Sequence, residues 1–248
     1  MTWITPTGRS YKLCLLDTNI ISEIVKNPSV EGKGFLTRFG SFVPCISVYS
    51  LIELRRNQLV YSSFISMFSV IPFFITKPFI EILEEEFQTH SKDDEIIPIK
   101  LAISPLNRAP NLKLNQVLEK VFSDEAVKAA ENRWRRDETS VLNSWMGRLD
   151  NFLQESPTAN SRDADRYWEE AGLQTIIFLN PSWAKEKVET GHLIDANHFL
   201  SVKAMLYSQY YRLYVPYWKP RPQEITDIQI ITVAPYVDAC SGSKVLDI

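Results

Sequence analysis

Residues 11–24 read YKLCLLDTNIISEI, an apolar run that stops on an aspartate and is followed at once by helix-start chemistry. A short, nearly continuous apolar segment is what a central parallel strand looks like when both of its faces are covered. Thr18, Asn19, Ser22 and Glu23 follow Asp17 within two helical turns, so the strand is expected to feed a helix directly. Residues 42–47, FVPCIS, repeat the pattern and lead into VYSLIELRRNQ, where Val48, Leu51, Ile52 and Leu59 are expected on one helical face and Arg55 and Arg56 point elsewhere. SVIPFFI at 69–75 is a third strand, and KPFIEILEEEFQTH after it is an amphipathic helix with Phe79, Ile82, Leu83 and Phe87 inward. Strands alternating with helices predict an α/β fold.

From residue 91 the character changes. SKDDEIIPIKLAISPLNRAPNLK is rich in proline and polar residues and reads as an extended lead-in without regular structure. Ser123 is expected to cap a long helix carrying Val127, Ala130, Trp134, Val141, Trp145, Leu149 and Phe152. ADRYWEEAGLQTIIFLN and HLIDANHFLSVKAMLYSQYYRLYV read as two further helices. EITDIQIITVAPYVDACSGSKVL reads as a helix, a turn near Pro235 and a last short strand. The expected plan is a core of 1–90 and 193–248 interrupted by a mostly helical insertion over 91–192.

Composition narrows the function classes. The chain has 248 residues, 45% hydrophobic, and a formal net charge of −3, so no overall basic field draws in nucleic acid and any such partner must meet a local patch. Its three cysteines, Cys14, Cys45 and Cys240, sit far apart in apolar runs, a pattern of reduced thiols in a cytosol. The first residues lack the apolar core of a signal peptide, and the uncharged stretch 57–76 is broken by serines and Pro72. A cytoplasmic protein without a membrane span is therefore expected.

In a parallel sheet the carboxyl ends of the strands open onto one crevice where ligands bind. Asp17 stands at that edge, Glu53 follows the second strand by about two helical turns, and Asp227 is expected to begin the last helix and face the same edge. Carboxylates crowded together repel and raise one another's pKa unless a hard cation such as Mg²⁺ or Mn²⁺ lies among them. Such an ion would suit phosphodiester hydrolysis. Taken singly, each acid also has a structural reading. Asp17 is a good helix N-cap, Glu53 a solvated helical residue and Asp227 a first-turn acid favoured by the helix dipole.

LLDTNIISEI followed by ISVYSLIELRRN closely resembles the start of PIN-domain nucleases, particularly the VapC-like branch. The resemblance covers 11–90 and, less fully, 193–245. It implies a three-layer α/β/α fold around a central parallel sheet, and a metal-dependent endonuclease preferring RNA, tRNA or mRNA, to single-stranded DNA. Asp17, Glu53 and Asp227 would be the metal-coordinating acids, with Thr18 or Asn19 supporting them. At the fourth position, where the family carries an acid or asparagine, this chain has Ser243 in ACSGSKV; Asp238 is an alternative, placed near the opposite end of its strand. One alternative reading is a nuclease toxin whose crevice is plugged by a protein partner, an antitoxin; a homodimer is a further candidate assembly. A rival reading keeps the fold and drops the chemistry, leaving a binding or scaffold module. Arg55, Arg133 and Arg136 are candidate phosphate contacts, the last two beside Trp134, which can stack on a base. His90, His192 and His198 show no ligand spacing and are assigned no role.

Overall fold

The computed structural model describes residues 2–4, 10–27, 42–90, 92, 94–104, 113–136, 161–213 and 222–241. In chain order the elements are β1 (Thr2–Ile4), β2 (Ser10–Leu16), α1 (Thr18–Lys26), β3 (Phe42–Ser47), α2 (Val48–Arg56), α3 (Gln58–Phe68), β4 (Phe73–Thr76) and α4 (Phe79–Thr89). There follow β5 (Ile99–Ile103), α5 (Leu114–Ser123), α6 (Glu125–Arg136), α7 (Ser161–Leu179), α8 (Pro181–Glu189), a 3-10 turn at Ala196–His198, α9 (Leu200–Leu213), α10 (Pro222–Ile231) and β6 (Ala239–Ser241). They fall into two compact units, one of 1–80, 97–132 and 236–248, the other of 81–96 and 133–235.

The first unit is α/β, built on a mostly parallel open sheet. β2 pairs in parallel with β3 on one side and β6 on the other, and β3 pairs in parallel with β4. β1 and β6 share one edge of β2: β1 runs antiparallel along Ser10–Lys12, and β6 runs parallel along Cys14–Leu16. The chain thus builds outward from β2 through β3 to β4, then returns to the other side of β2 with β6. That reversal makes the carboxyl end of β2 a topological switch point, the place where an open α/β sheet offers a crevice.

The core follows the sequence pattern closely. Leu13, Leu15, Ile46, Ile75, Ile21, Leu51 and Phe64 are all almost fully buried, each contributing about 1.5 to 3 kcal/mol relative to exposure. Phe73 stands edge-on to both Phe64 and Phe68, at 5.6 Å and 89° to Phe68, while Phe64 and Phe68 meet tilted at 32°. Pro44 lies inside a central strand, where a missing N–H ordinarily breaks a ladder. It is accommodated because the β3–β4 ladder begins one residue later, at Cys45. The uncharged stretch 57–76 is a helix followed by a strand, and among the described residues no helix is long and apolar enough to cross a membrane.

Three expectations are corrected. The lead-in after residue 91 contains β5, which pairs antiparallel with β4. It is an edge strand with Leu101 and Ala102 exposed, so its alternation is too incomplete to stand out beside the prolines. Ser123 ends α5, donating its hydroxyl to the Lys120 carbonyl. Asp124 caps α6 instead, its carboxylate accepting from the amides of Ala126 and Val127 at 3.0 and 3.2 Å, which leaves its pKa lowered against the opposing effect of burial. The third long helix starts at Leu200, because Gly191 at φ 71° and the Asp195 cap of the 3-10 turn divert the chain before it. Val141, Trp145, Leu149 and Phe152 lie outside the described residues.

The second unit is helical among its described residues. α7 and α9 pack through Ala164 and Tyr210, with Tyr167, Tyr207 and Tyr211 around them. Glu86, fully buried, accepts from the Ser201 amide at 2.7 Å and from its hydroxyl at 2.6 Å, so its carboxyl group satisfies a free amide in the first turn of α9.

Candidate metal centre

Asp17 is the first residue after β2 and the N-cap of α1, with extended backbone (φ −71°, ψ 153°). One carboxylate oxygen accepts from the Thr18 amide at 2.8 Å, and the other from the Asn19 side-chain amide at 3.3 Å. The cap reading and the site reading of Asp17 are therefore compatible: the same bonds that start the helix fix the carboxylate at the switch point.

β3 ends on Ser47, whose hydroxyl accepts from the Tyr49 amide at 3.0 Å and starts α2. Val48, Leu51 and Ile52 bury the sheet-facing side of that helix, and Glu53 is left half-buried in its second turn. The Thr18 hydroxyl donates to Glu53 at 2.5 Å. Thr18 thus gives its amide to one acid and its hydroxyl to the other, tying the ends of β2 and β3 together through two carboxylates. An acceptor this short to a carboxylate is a charge-assisted bond.

The other named residues lie elsewhere. Asp238 precedes β6, its amide donating to the Leu13 carbonyl at 3.0 Å and its carboxylate accepting from the Leu13 amide at 2.7 Å. It completes the edge of β2 between the β1 and β6 ladders, near the end of β6 away from Asp17. Asp227 does not begin the last helix. α10 starts at Pro222, a residue suited to the first helical turn, and Asp227 sits in its second half, in the second unit. There Arg212 contacts its carboxylate at 3.4 Å and also forms an ion pair with Glu224. Ser243 lies outside the described residues, as do the side chains of Arg133 and Arg136, whose backbone belongs to α6. Arg55 stacks over Phe122 at 4.5 Å and pairs with Glu119 at 3.6 Å.

Among the described residues, no three His, Cys, Asp or Glu side chains converge closely enough to share a metal ion. The pair that Thr18 bridges is all-oxygen, two carboxylates with a hydroxyl and an amide bonded to them. That donor set fits Mg²⁺, which is commonly held by one or two carboxylates with waters and substrate phosphate completing the shell.

The sequence reading passed over two buried hydroxyls on β4 and α2. Thr76, at the carboxyl end of β4, is the register partner of Ser47, and Ser50 lies one turn into α2. Both side chains are fully buried, and neither hydroxyl has a hydrogen-bond partner among the described residues. The signal was present in the serines of CISVYS, but it reads as ordinary capping until β4 is set beside β3. Compared with protein-family models, with curated proteins and with solved structures, the chain matches none.

Proposed function

We propose that this chain is a Mg²⁺- or Mn²⁺-dependent endonuclease of the PIN type, acting on RNA in preference to single-stranded DNA. The observation that carries the reading is the Thr18 bridge, which holds Asp17 and Glu53 together at the switch point of the sheet. The RNA preference and the three-layer PIN-like plan rest on the resemblance of LLDTNIISEI and ISVYSLIELRRN to that family.

The residues' own contributions follow from their bonds. Asp17 is oriented by two N–H donors on one side, which leaves its remaining lone pairs for a cation. Glu53 is oriented by Thr18 and donates no proton while ionised. A divalent cation held by them would bind a phosphate oxygen and lower the pKa of a water molecule, generating the nucleophile. Asp227 belongs to the second unit, where Arg212 pairs with it, and the proposed site is that of Asp17 and Glu53.

The test is incubation of labelled RNA and single-stranded DNA with the protein in Mg²⁺, Mn²⁺ or EDTA. Metal-dependent cleavage of RNA is expected, falling at least about a hundredfold in Asp17→Asn and Glu53→Gln. Cleavage in EDTA, or full activity in Asp17→Asn, would overturn it. A silent binding module is the second reading, favoured by the pairing of Asp227 with Arg212 and of Asp238 with Leu13. Calorimetric titration with Mn²⁺ separates the two, since a silent module gives no heat that depends on Asp17.

A further inference from the structure

His90 follows the last residue of α4, and its amide donates to the Glu86 carbonyl at 3.1 Å. Its ring stands among three others, with centroids 5.1 Å from Trp183, 5.5 Å from Phe199 and 5.4 Å from His198. Nε2 receives the amide hydrogen of Asp195 at 2.9 Å. Accepting that bond requires a bare nitrogen, so the neutral ring carries its proton on Nδ1. Nδ1 is buried and has no partner among the described residues.

His198 has the other tautomer. The Thr89 hydroxyl donates to the Glu85 carbonyl at 2.7 Å, so at 3.0 Å it accepts from His198 Nε2–H. The two rings are therefore not equivalent. Only His90 uses a bare nitrogen to hold backbone from another part of the chain.

The other ties of 191–199 lie to either side of that amide. Asp195 is exposed, Leu193 is 92% exposed and Gly191 has φ 71°. Before it, the His192 amide donates to the Lys187 carbonyl at 2.9 Å; after it, the Asn197 side chain accepts from the Trp168 indole at 3.4 Å, His198 donates to Thr89 and Phe199 is fully buried. Protonating His90 would put a hydrogen on Nε2 facing the Asp195 amide, turning a bond into a donor–donor contact while Nδ1–H stays buried.

We propose that His90 is a pH-operated latch on residues 191–199, closed when its imidazole is neutral and released when it is protonated. The charged groups around it act in both directions. Lys187 on α8 and His198 on the 3-10 turn oppose a positive ring, and the Asp195 carboxylate favours one. On its own helix, Glu85 lies a turn or more back, and Glu86 has both oxygens engaged by Ser201. Burial foremost, then His198 and Lys187, holds His90 below the ordinary histidine value. The fold therefore favours the neutral ring. The latch stabilises the turn fully above the ordinary histidine pKa, and this contribution is lost as pH falls through the lowered one. The inference is independent of the Asp17 and Glu53 reading.

The test is amide hydrogen exchange of the full chain at pH 7.5 and 5.5, corrected for intrinsic exchange rates and read on peptides covering 191–199. Protection of the Asp195 amide should fall by up to about tenfold per pH unit as pH drops below the ordinary histidine pKa, and level off below the lowered His90 midpoint. In His90→Gln, whose side-chain oxygen accepts but does not titrate, protection should not depend on pH. Equal protection at both pH values in the wild type, or an undiminished pH dependence in His90→Gln, would overturn the proposal. Should that variant fail to fold, an NMR titration of the wild-type ring decides: a midpoint below the free-histidine value supports the latch, and one at or above it refutes it.

Discussion

Thr18 is the residue on which the candidate site turns, since its amide and hydroxyl engage different acids. Thr18→Val keeps the amide and the side-chain volume and loses only the bond to Glu53. Groups that orient metal ligands typically change metal affinity 10- to 100-fold. Thr18→Val should therefore weaken Mn²⁺ binding by about tenfold or more in calorimetry, and Thr18→Ser should bind like the wild type. Unchanged binding by the valine variant would mean Glu53 needs no orientation from Thr18. How far each acid was legible follows from distance along the chain. The positions of Asp17 and Glu53 could be read because local pattern fixes them, Asp17 directly after β2 and Glu53 in the second turn of the helix after β3. Asp227 could not, because its environment depends on Arg212, supplied by another helix, and on a helix start at Pro222 that shifts it from the first turn into the second half of α10.

Among the elements, α7 shows a limit of reading helices by propensity. Gly172 lies in its interior, where glycine costs up to about 1 kcal/mol relative to alanine. By that rule Gly172→Ala should stabilise. A Cβ at this position, however, would stand 2.8 Å from the six-membered ring of Trp168, which is 5% exposed and one turn earlier on the same helix. A buried indole has little room to give, and overpacking of this kind costs about 1 to 3 kcal/mol. Gly172→Ala should lower the urea midpoint of the helical unit, and restoring space with Trp168→Phe in the same chain should recover part of the loss. A higher midpoint for the single variant would show that Trp168 moves freely. β5 marks the same limit among strands. Its residues are compatible with a strand, yet an exposed edge strand lacks the continuous apolar run that made β2 and β3 visible, and only its pairing with β4 defines it.

At the scale of the whole molecule, the two units are interleaved in sequence, so the chain passes between them at 80/81, 96/97, 132/133 and 235/236. Such topology by itself couples the units through loop closure: unfolding one lengthens the loops the other must close, at about 0.6 kcal/mol per doubling of length. That is small beside the stability of an ordinary domain, about 5 to 15 kcal/mol, so the units are expected to unfold at different denaturant concentrations. The protein carries a reporter for each. All three thiols belong to the sheet unit, on the adjacent strands β3, β2 and β6. Cys45 is fully buried, and desolvation raises its pKa far above the usual thiol value; Cys14 is raised for the same reason. Cys240 is exposed as a residue, but desolvation and the neighbouring Cys14 push its thiol up to about 11. With so little thiolate at neutral pH, all three should react slowly in the folded protein, Cys240 first and Cys45 last. Cys45 labelling therefore follows opening of the sheet, and hydrogen exchange across α9 follows the helical unit. Across a urea series the two should give separate midpoints. Coincident midpoints would require a coupling energy well beyond loop closure, and would show that the sheet and the helices unfold as one cooperative body.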